Sequence, residues 1–406
     1  MGPLQGIKII DMTSVLMGPV ASQALGDMGA DVIKIEAPDG DVVRQIGPSR
    51  HPGMGPIFLN TNRNKRSLAL DLKKPAGLAA LKRLLADADV LMYNVRPQAM
   101  ARLGLDYETV SALNPRIVYA GLFGFGQDGP YAARPAYDDL IQGGSTLAHL
   151  IARSTRGEPR YVPTAVADRI VGTTAVGGIL ASLLARERTG RGQRLDVPMF
   201  ETMVSFVLGD HLGGLTYEPP LDQGGYPRQL SPERRPYRTR DGYICALVYN
   251  DKQWESFLRA VGRESLLQTD ERFANFYNRS RHIDVVYAEL ARMFEERTTN
   301  EWLALLEKAD IPFMPMHDLL SILDDPHLAA TDFFEQVDHP TEGRIRSMRP
   351  AIRWSDTPPG AARPAPRHGE HGIEVLQQAG FTAQEIEDLL RQGALVSSKT
   401  TPQDPL

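Results

Sequence analysis

Strand and helix signals alternate through the first 125 residues, and this alternation restricts the chain more than any other feature. Residues 7–11 form a short apolar run, 19–28 carry helical spacing, and 30–36 (ADVIKIE) alternate apolar and charged side chains as a strand does. Pro75 opens a helix that runs to about residue 88, in the first-turn position that suits proline. Residues 90–93 and 117–123 read as further strands. Strands that alternate with helices imply a parallel, doubly wound α/β sheet. A long helix over 166–188, stopped by Thr189-Gly190-Arg191-Gly192, a strand at 193–197 and a helix at 199–212 extend the pattern.

The texture changes near Pro219. Residues 219–240 are rich in Pro, Gly and Arg and read as a long loop or linker; a strand at 243–248 and helices around 253–261 and 283–295 then suggest a smaller α+β domain, and 299–309 is amphipathic. Strand-like and proline-rich segments return after Phe333 and end in a helix at 383–392, with Thr382 and Glu385 spaced as a capping box. The organisation expected is therefore 1–218 for the first part of the large domain, 219–332 for linker and small domain, and 333–406 for the return. The polar tail 397–406 is expected to fray. Two or three domains suit 406 residues. A net charge of -5 argues against a nucleic-acid partner, and a single cysteine, Cys245, fits a reducing compartment. The N-terminus lacks the pattern of a signal peptide, and no run approaches the roughly 20 apolar residues of a membrane span. The expectation is a cytoplasmic protein with no membrane partner.

Several motifs point nowhere. Gly124-Phe-Gly126-Gln-Asp-Gly129 has the spacing of a dinucleotide fingerprint and follows a strand, but Pro130 and Pro135 stand where the receiving helix would start. No Gly-x-Ser-x-Gly elbow is present. Nine scattered histidines with one cysteine supply no metal-ligand spacing, and His368-Gly-Glu-His371 reads as a surface turn. No metal is expected. What remains is Asp168, in Pro163-Thr-Ala-Val-Ala-Asp168-Arg-Ile-Val-Gly172, at the start of the long helix. A first-turn aspartate complements the helix macrodipole, a common and purely structural role. A carboxylate in an apolar, glycine-rich helix also leaves room for a substrate, and the residues alone leave both readings open.

The sequence resembles the type III CoA-transferases, the formyl-CoA transferase and carnitine CoA-transferase group, over nearly its whole length. The resemblance is carried by Gly6-Ile-Lys-Ile-Ile-Asp11, Met17-Gly-Pro19, Leu25-Gly-Asp-Met-Gly-Ala-Asp-Val-Ile-Lys-Ile-Glu36, Asn62-Arg-Asn-Lys-Arg-Ser67, Tyr93-Asn94, Leu103-Gly104, Gly124-Phe-Gly-Gln-Asp-Gly-Pro130, Ala167-Asp168 and Arg188-Thr-Gly-Arg-Gly-Gln193. Thr239-Arg-Asp-Gly-Tyr243, Ile311-Pro312 and Asp325-Pro-His327 continue it. It implies a Rossmann-like large domain made from both chain ends plus a smaller domain, an interlocked homodimer with a site built from both chains, Asp168 as the nucleophile, no permanently bound cofactor, and coenzyme A as a thioester substrate. Its CoA-contacting positions fall on Val15, Leu16, Met17, Leu70, Asn94, Val95 and Arg102. Ala37 replaces a family arginine, Leu16 a family glutamine, and Pro135 a family lysine, for which the adjacent Arg134 is the candidate substitute.

The implied chemistry exchanges CoA between an acyl-CoA and a carboxylate through an aspartyl intermediate, a division of one hard step into easier ones. Water must be kept out, and residues 223–226 (Gln-Gly-Gly-Tyr) are the candidate lid. Arg228, Arg234, Arg235, Arg238 and Arg240 crowd one segment, which suits either a second carboxylate, as in succinyl-CoA, or a solvated basic loop. Two alternatives accompany this reading. A 2-methylacyl-CoA racemase of the same fold would need a histidine where Pro135-Ala-Tyr-Asp-Asp139 stands, and a non-catalytic CoA-ester binder would leave Asp168 as a cap.

Overall fold

The computed structural model describes residues 2–360 and 362–397; the polar tail beyond Ser397 lies outside the described residues. In chain order the strands among them are β1 (Lys8–Met12), β2 (Asp31–Glu36), β3 (Lys65–Leu70), β4 (Val90–Tyr93), β5 (Val118–Phe123), β6 (Arg194–Pro198), β7 (Tyr237–Arg238), β8 (Tyr243–Ala246), β9 (Phe313–Pro315), β10 (Phe334–His339), β11 (Gly343–Met348) and β12 (Leu395–Val396). The chain divides into two compact units, one of residues 1–145, 162–205 and 330–406 and a smaller one of 146–161 and 206–329.

The larger unit is built on a seven-stranded sheet in the order β12-β3-β2-β1-β4-β5-β6. All neighbours pair in parallel except β12, which runs antiparallel to β3 with Leu395 opposite Leu70. This is the expected doubly wound sheet. Helices cover both faces, so the central strands are buried throughout, and β3, β4 and β5 have no exposed residue. One face packs Leu81, Leu84, Leu376 and Leu389, from the helices Pro75–Leu85, Gly372–Gln378 and Ala383–Arg391, onto Ile33, Leu68, Leu91 and Tyr119. The capping box expected at Thr382 and Glu385 is present in both directions. The helices Met17–Asp27 and Val166–Thr189 pack against each other, the second also against β5 and β6. At 24 residues and mostly apolar, Val166–Thr189 is long and apolar enough to span a membrane, which the sequence reading did not allow for. Here it is a core helix, burying Ala167, Val171, Ala175, Ile179 and Leu183.

Chain winding reverses between β1 and β4. From β1 the chain builds outward through β2 and β3; from β4 it builds the other way through β5 and β6. The loops that leave β1 and β4 therefore diverge, and a crevice opens at the carboxyl ends of these strands.

The smaller unit is α+β. A three-stranded sheet β7-β8-β9 carries the helices Asp251–Ala260, Ile283–Phe294 and Thr299–Lys308 around an aromatic core in which Phe257, Phe294 and Trp302 are fully buried. Trp302 lies tilted against Phe294, ring centres 4.5 Å apart, and donates its indole N–H to the Phe294 carbonyl at 2.8 Å, so its one polar atom is satisfied in the interior.

Candidate active site

A cavity of about 760 Å³ occupies the crevice at the carboxyl edge of the sheet. Its walls are the residues that follow four strands: Thr13 and Ser14 after β1, 37–42 after β2, Asp71 and Lys73 after β3, and Val95 after β4, with Ala99, Arg102 and Leu103 beyond. Of the sequence-predicted contact residues, Leu70, Val95 and Arg102 line this cavity directly. Arg102 and Lys73 are exposed at it and give it two cationic side chains. Arg134 is not part of the lining; it is exposed, with its guanidinium 4.0 Å from the centre of the Tyr131 ring.

Val15, Leu16 and Met17 form the turn between β1 and the Met17–Asp27 helix, and Asn94 holds that turn. The Asn94 amide accepts from Ser14 N–H at 3.1 Å and donates to the Ser14 carbonyl at 2.9 Å. Val15 adopts φ +70, a left-handed backbone that a β-branched residue rarely takes and that costs about 1–3 kcal/mol. Its N–H donates to the Asp41 carboxylate at 3.2 Å, which fixes the turn to the loop after β2.

A buried charge lattice underlies both. Asp11, fully buried at the end of β1, accepts from Thr13 N–H at 2.9 Å, from the Ser22 hydroxyl at 2.6 Å and from Lys65 Nζ at 3.3 Å. Lys65 Nζ also donates to the Pro19 carbonyl at 3.0 Å and to Asn62 Oδ1 at 2.8 Å. Burial pulls the Lys65 ammonium down to about 7, against the attraction of Asp11 and with repulsion from Lys34. Lys34 Nζ bridges the Thr13 carbonyl at 2.8 Å and Asp41 Oδ2 at 2.9 Å. Glu36 accepts two bonds of 2.7 Å from Arg44 and one of 2.6 Å from Ser67. Despite the burial cost, the Arg44 hydrogen bonds and charge hold the Glu36 carboxyl down at about 2. Lys34 and Glu36 are thus inside. His368-Gly-Glu-His371 is a turn, as expected, half-buried and tied to the sheet: Gly369 N–H donates to Ser67 Oγ at 2.8 Å and His368 bonds the Ala37 carbonyl at 2.9 Å.

Asp168 lies at the third residue of the Val166–Thr189 helix, and it is not the helix's cap. Its own N–H, one of the orphan donors of the first turn, is served by Asp138 Oδ1 at 2.9 Å, while Asp138 Oδ2 accepts from Gln142 at 2.6 Å. No hydrogen bond or ion pair to the Asp168 carboxylate occurs among the described residues. Burial, reinforced by the charge of Asp138 and opposed by Arg169, pushes its carboxyl up to about 6. At pH 7 it is still mostly ionised, more basic than an ordinary aspartate and without a partner.

Helix packing connects Asp168 to the turn. A Cβ added at Gly172, one turn after Asp168, would stand 2.6 Å from the Met17 carbonyl oxygen, and one added at Gly18 would meet Thr13 at 2.2 Å. Only glycine allows this approach. Gly172→Ala is expected to destabilise the protein by about 1–3 kcal/mol and to lower turnover by displacing the 13–17 turn. Gly177→Ala on the open face of the same helix, with nothing within 4 Å, is expected to stabilise it by about 0.5–1 kcal/mol. Chemical denaturation of the two variants in parallel checks the pair.

Two further expectations lie elsewhere. The amide of Gly126, in the false dinucleotide motif, is taken by the Glu201 carboxylate at 2.9 Å, and no helix begins between the motif and Asp138. The Gly-rich segment 223–226 belongs to the smaller unit and is folded back rather than free: Gly224 N–H donates to Asp222 at 2.7 Å, Gly225 N–H to the His211 carbonyl at 2.7 Å, and Tyr226 N–H to the His211 ring at 3.2 Å. Of the arginines near it, Arg235 pairs with Glu233, and Arg240 donates to the Glu296 carbonyl. Arg234 and Arg238 are exposed and have no ion-pair partner among the described residues.

The sequence model described as CoA-transferase family III matches residues 4–372. An acyl-CoA transferase of Fusarium pseudograminearum is 35% identical over 405 residues, covering 97% of this chain and 88% of that protein. Human succinyl-CoA:glutarate CoA-transferase is 31% identical, covering 98% and 91%. The crystal structure of a CAIB/BAIF family protein from Brucella suis superposes with a TM-score of 0.79 at 31% identity, covering 93% of this chain and 99% of that one.

Proposed function

The chain belongs to CoA-transferase family III and is an enzyme that transfers CoA, and on that premise we propose that it does so through a covalent intermediate on Asp168. The observation that carries this reading is the Asp168 carboxylate itself, ionised yet without a partner among the described residues, raised to about 6, in the first turn of a helix where a different aspartate accepts from its N–H. An Asp168 oxygen attacks the donor thioester carbonyl, the C–S bond breaks, and CoA leaves as thiolate. The thiolate then attacks Cγ of the mixed anhydride, releasing the donor acid as carboxylate and leaving an aspartyl-CoA thioester. The acceptor carboxylate repeats the two steps in reverse, so no net proton moves and Asp168 is regenerated.

In this reading CoA occupies the 760 Å³ cavity. The strained 13–17 turn stands between it and the helix of Asp168, Arg102 and Lys73 meet the phosphates, and the amide of Asn94 holds the turn in place. Arg134 stands apart from this lining and is the weakest of the contact assignments. A short dicarboxylyl pair, succinyl-CoA with glutarate or a similar acid, is the proposed substrate class. The succinyl-CoA:glutarate enzyme among the relatives supports it. The acting form is proposed to be an interlocked homodimer in the cytoplasm.

The pH dependence tests the assignment. The free-enzyme rate should fall as pH drops through about 6, where Asp168 gains its proton, two units above an ordinary aspartate. Asp138→Asn keeps an acceptor for the Asp168 N–H but removes the neighbouring charge, so this inflection should move to lower pH. Burial is the larger cause, so the move should be partial. An inflection that stays put in Asp138→Asn means that another group controls the rate.

A further inference from the structure

The smaller unit holds a cavity of its own, about 170 Å³, that shares no residue with the larger one. An apolar cavity of about 150 Å³ is known to admit benzene, so this space takes a ligand of roughly six heavy atoms and excludes a nucleotide or a pantetheine arm. Two arginines line it. Arg279 is 3% exposed; it donates to the Phe273 carbonyl at 2.7 Å and pairs with Asp251, yet its buried Nε has no hydrogen-bond partner. Arg228 donates Nε to the Tyr287 hydroxyl at 2.9 Å, lies 5.3 Å from the centre of the Tyr249 ring, and has no acidic partner among the described residues. Asp251 therefore balances one guanidinium and leaves the other uncompensated. Val248, Trp254, Phe276, Ile283 and Val286 make much of the remaining wall hydrocarbon.

We propose that this cavity binds a short-chain monocarboxylate of roughly four or five carbons, its carboxylate on the Arg228 and Arg279 guanidinium groups and its tail against the apolar wall. A fork of guanidinium donors matches a carboxylate in geometry and charge. One surplus positive charge accommodates one negative charge. A dicarboxylate would bury its second carboxylate against hydrocarbon without a partner, and an inorganic dianion offers the wall no apolar surface. The site is independent of the CoA cavity and of the proposed dicarboxylyl substrates.

Isothermal titration of the full chain with butanoate, glutarate and sulfate tests it. Butanoate is expected to bind saturably and more tightly than either of the others, with its affinity unchanged when CoA is present at saturation. Arg228→Gln should weaken butanoate by about tenfold or more, and Arg228→Lys, which keeps the charge but not the fork, by less. Thermal unfolding of both variants verifies their fold. The proposal is overturned by an absence of saturable binding, by equal affinity in a folded Arg228→Gln protein, by glutarate or sulfate binding more tightly, or by displacement of butanoate by CoA.

Discussion

Asp168→Asn is expected to lower turnover by at least about 10⁴-fold, the scale seen when a covalent nucleophile is removed, while leaving the protein as stable as before or more so. The two halves of this expectation have one cause. An acid whose folded pKa lies above its unfolded value binds its proton more tightly when folded. Its contribution to stability is therefore present at low pH and is lost as pH rises from 3.8 toward 6. At pH 8 the folded protein carries the full cost of a desolvated carboxylate beside Asp138, on the order of 3 kcal/mol at 1.36 kcal/mol per unit and nearer 1 kcal/mol after allowing for its partial exposure. Asn removes that cost, so the melting temperature at pH 8 should rise by about 2 °C, and at pH 4 it should hardly change. A structural aspartate would behave in the opposite way, its loss costing stability and leaving turnover nearly intact. During turnover of the unaltered enzyme, hydroxylamine should convert Asp168 to a hydroxamate detectable by peptide mass spectrometry. Solvent deuterium at the α-carbon of the acyl group with no such adduct would point instead to racemisation.

The elements that position this site were legible where hydrophobic periodicity spoke clearly. β1, β2, β4, β5 and β6, the long helix and the capped C-terminal helix all fall where the spacing put them. β3 was missed as a strand because its sequence, KRSLAL, opens on two charges. Those charges are buried: Arg66 holds Asp31 at 2.6 Å and Lys65 holds Asp11 at 3.3 Å, pairings across strands that no local pattern displays. The same limit hid the burial of Lys34 and Glu36, charged positions of an alternating strand. Their partners, Asp41 and Arg44, follow within eight positions, so a cluster of alternating charges just after a strand was the available signal. Lys73, at the cavity, had none. The role of Asp168 was ambiguous from sequence because a first-turn aspartate commonly serves the helix end; in the structure Asp168 stays in the first turn, but the hydrogen bond to its N–H comes from Asp138, thirty residues earlier.

Asp11→Ala should be among the most destabilising single substitutions in the chain, by about 3–5 kcal/mol. It strips the counter-charge from Lys65, which is wholly buried, and leaves the Thr13 and Ser22 donors without their acceptor. The loss is not the strength of the pair but the cost of a buried amine that has lost its counter-charge and must give up its proton, since removing two buried charges from water offsets most of their mutual attraction. A double variant separates these. Asp11→Ala with Lys65→Met removes both charges and is expected to be more stable than Asp11→Ala alone, a coupling of about 1–3 kcal/mol measurable by urea unfolding. If the two losses simply add, the lattice is not held by this pair. Activity should not recover along with stability. Asp11 fixes Thr13, Lys34 fixes the Thr13 carbonyl and Asp41, and Asp41 holds the left-handed Val15, so a chain of charge-assisted bonds maintains the strained turn beside the cavity. A double variant that folds well but transfers CoA slowly, with a raised KM for acyl-CoA, would place the function of this lattice in holding that turn and not in holding the fold.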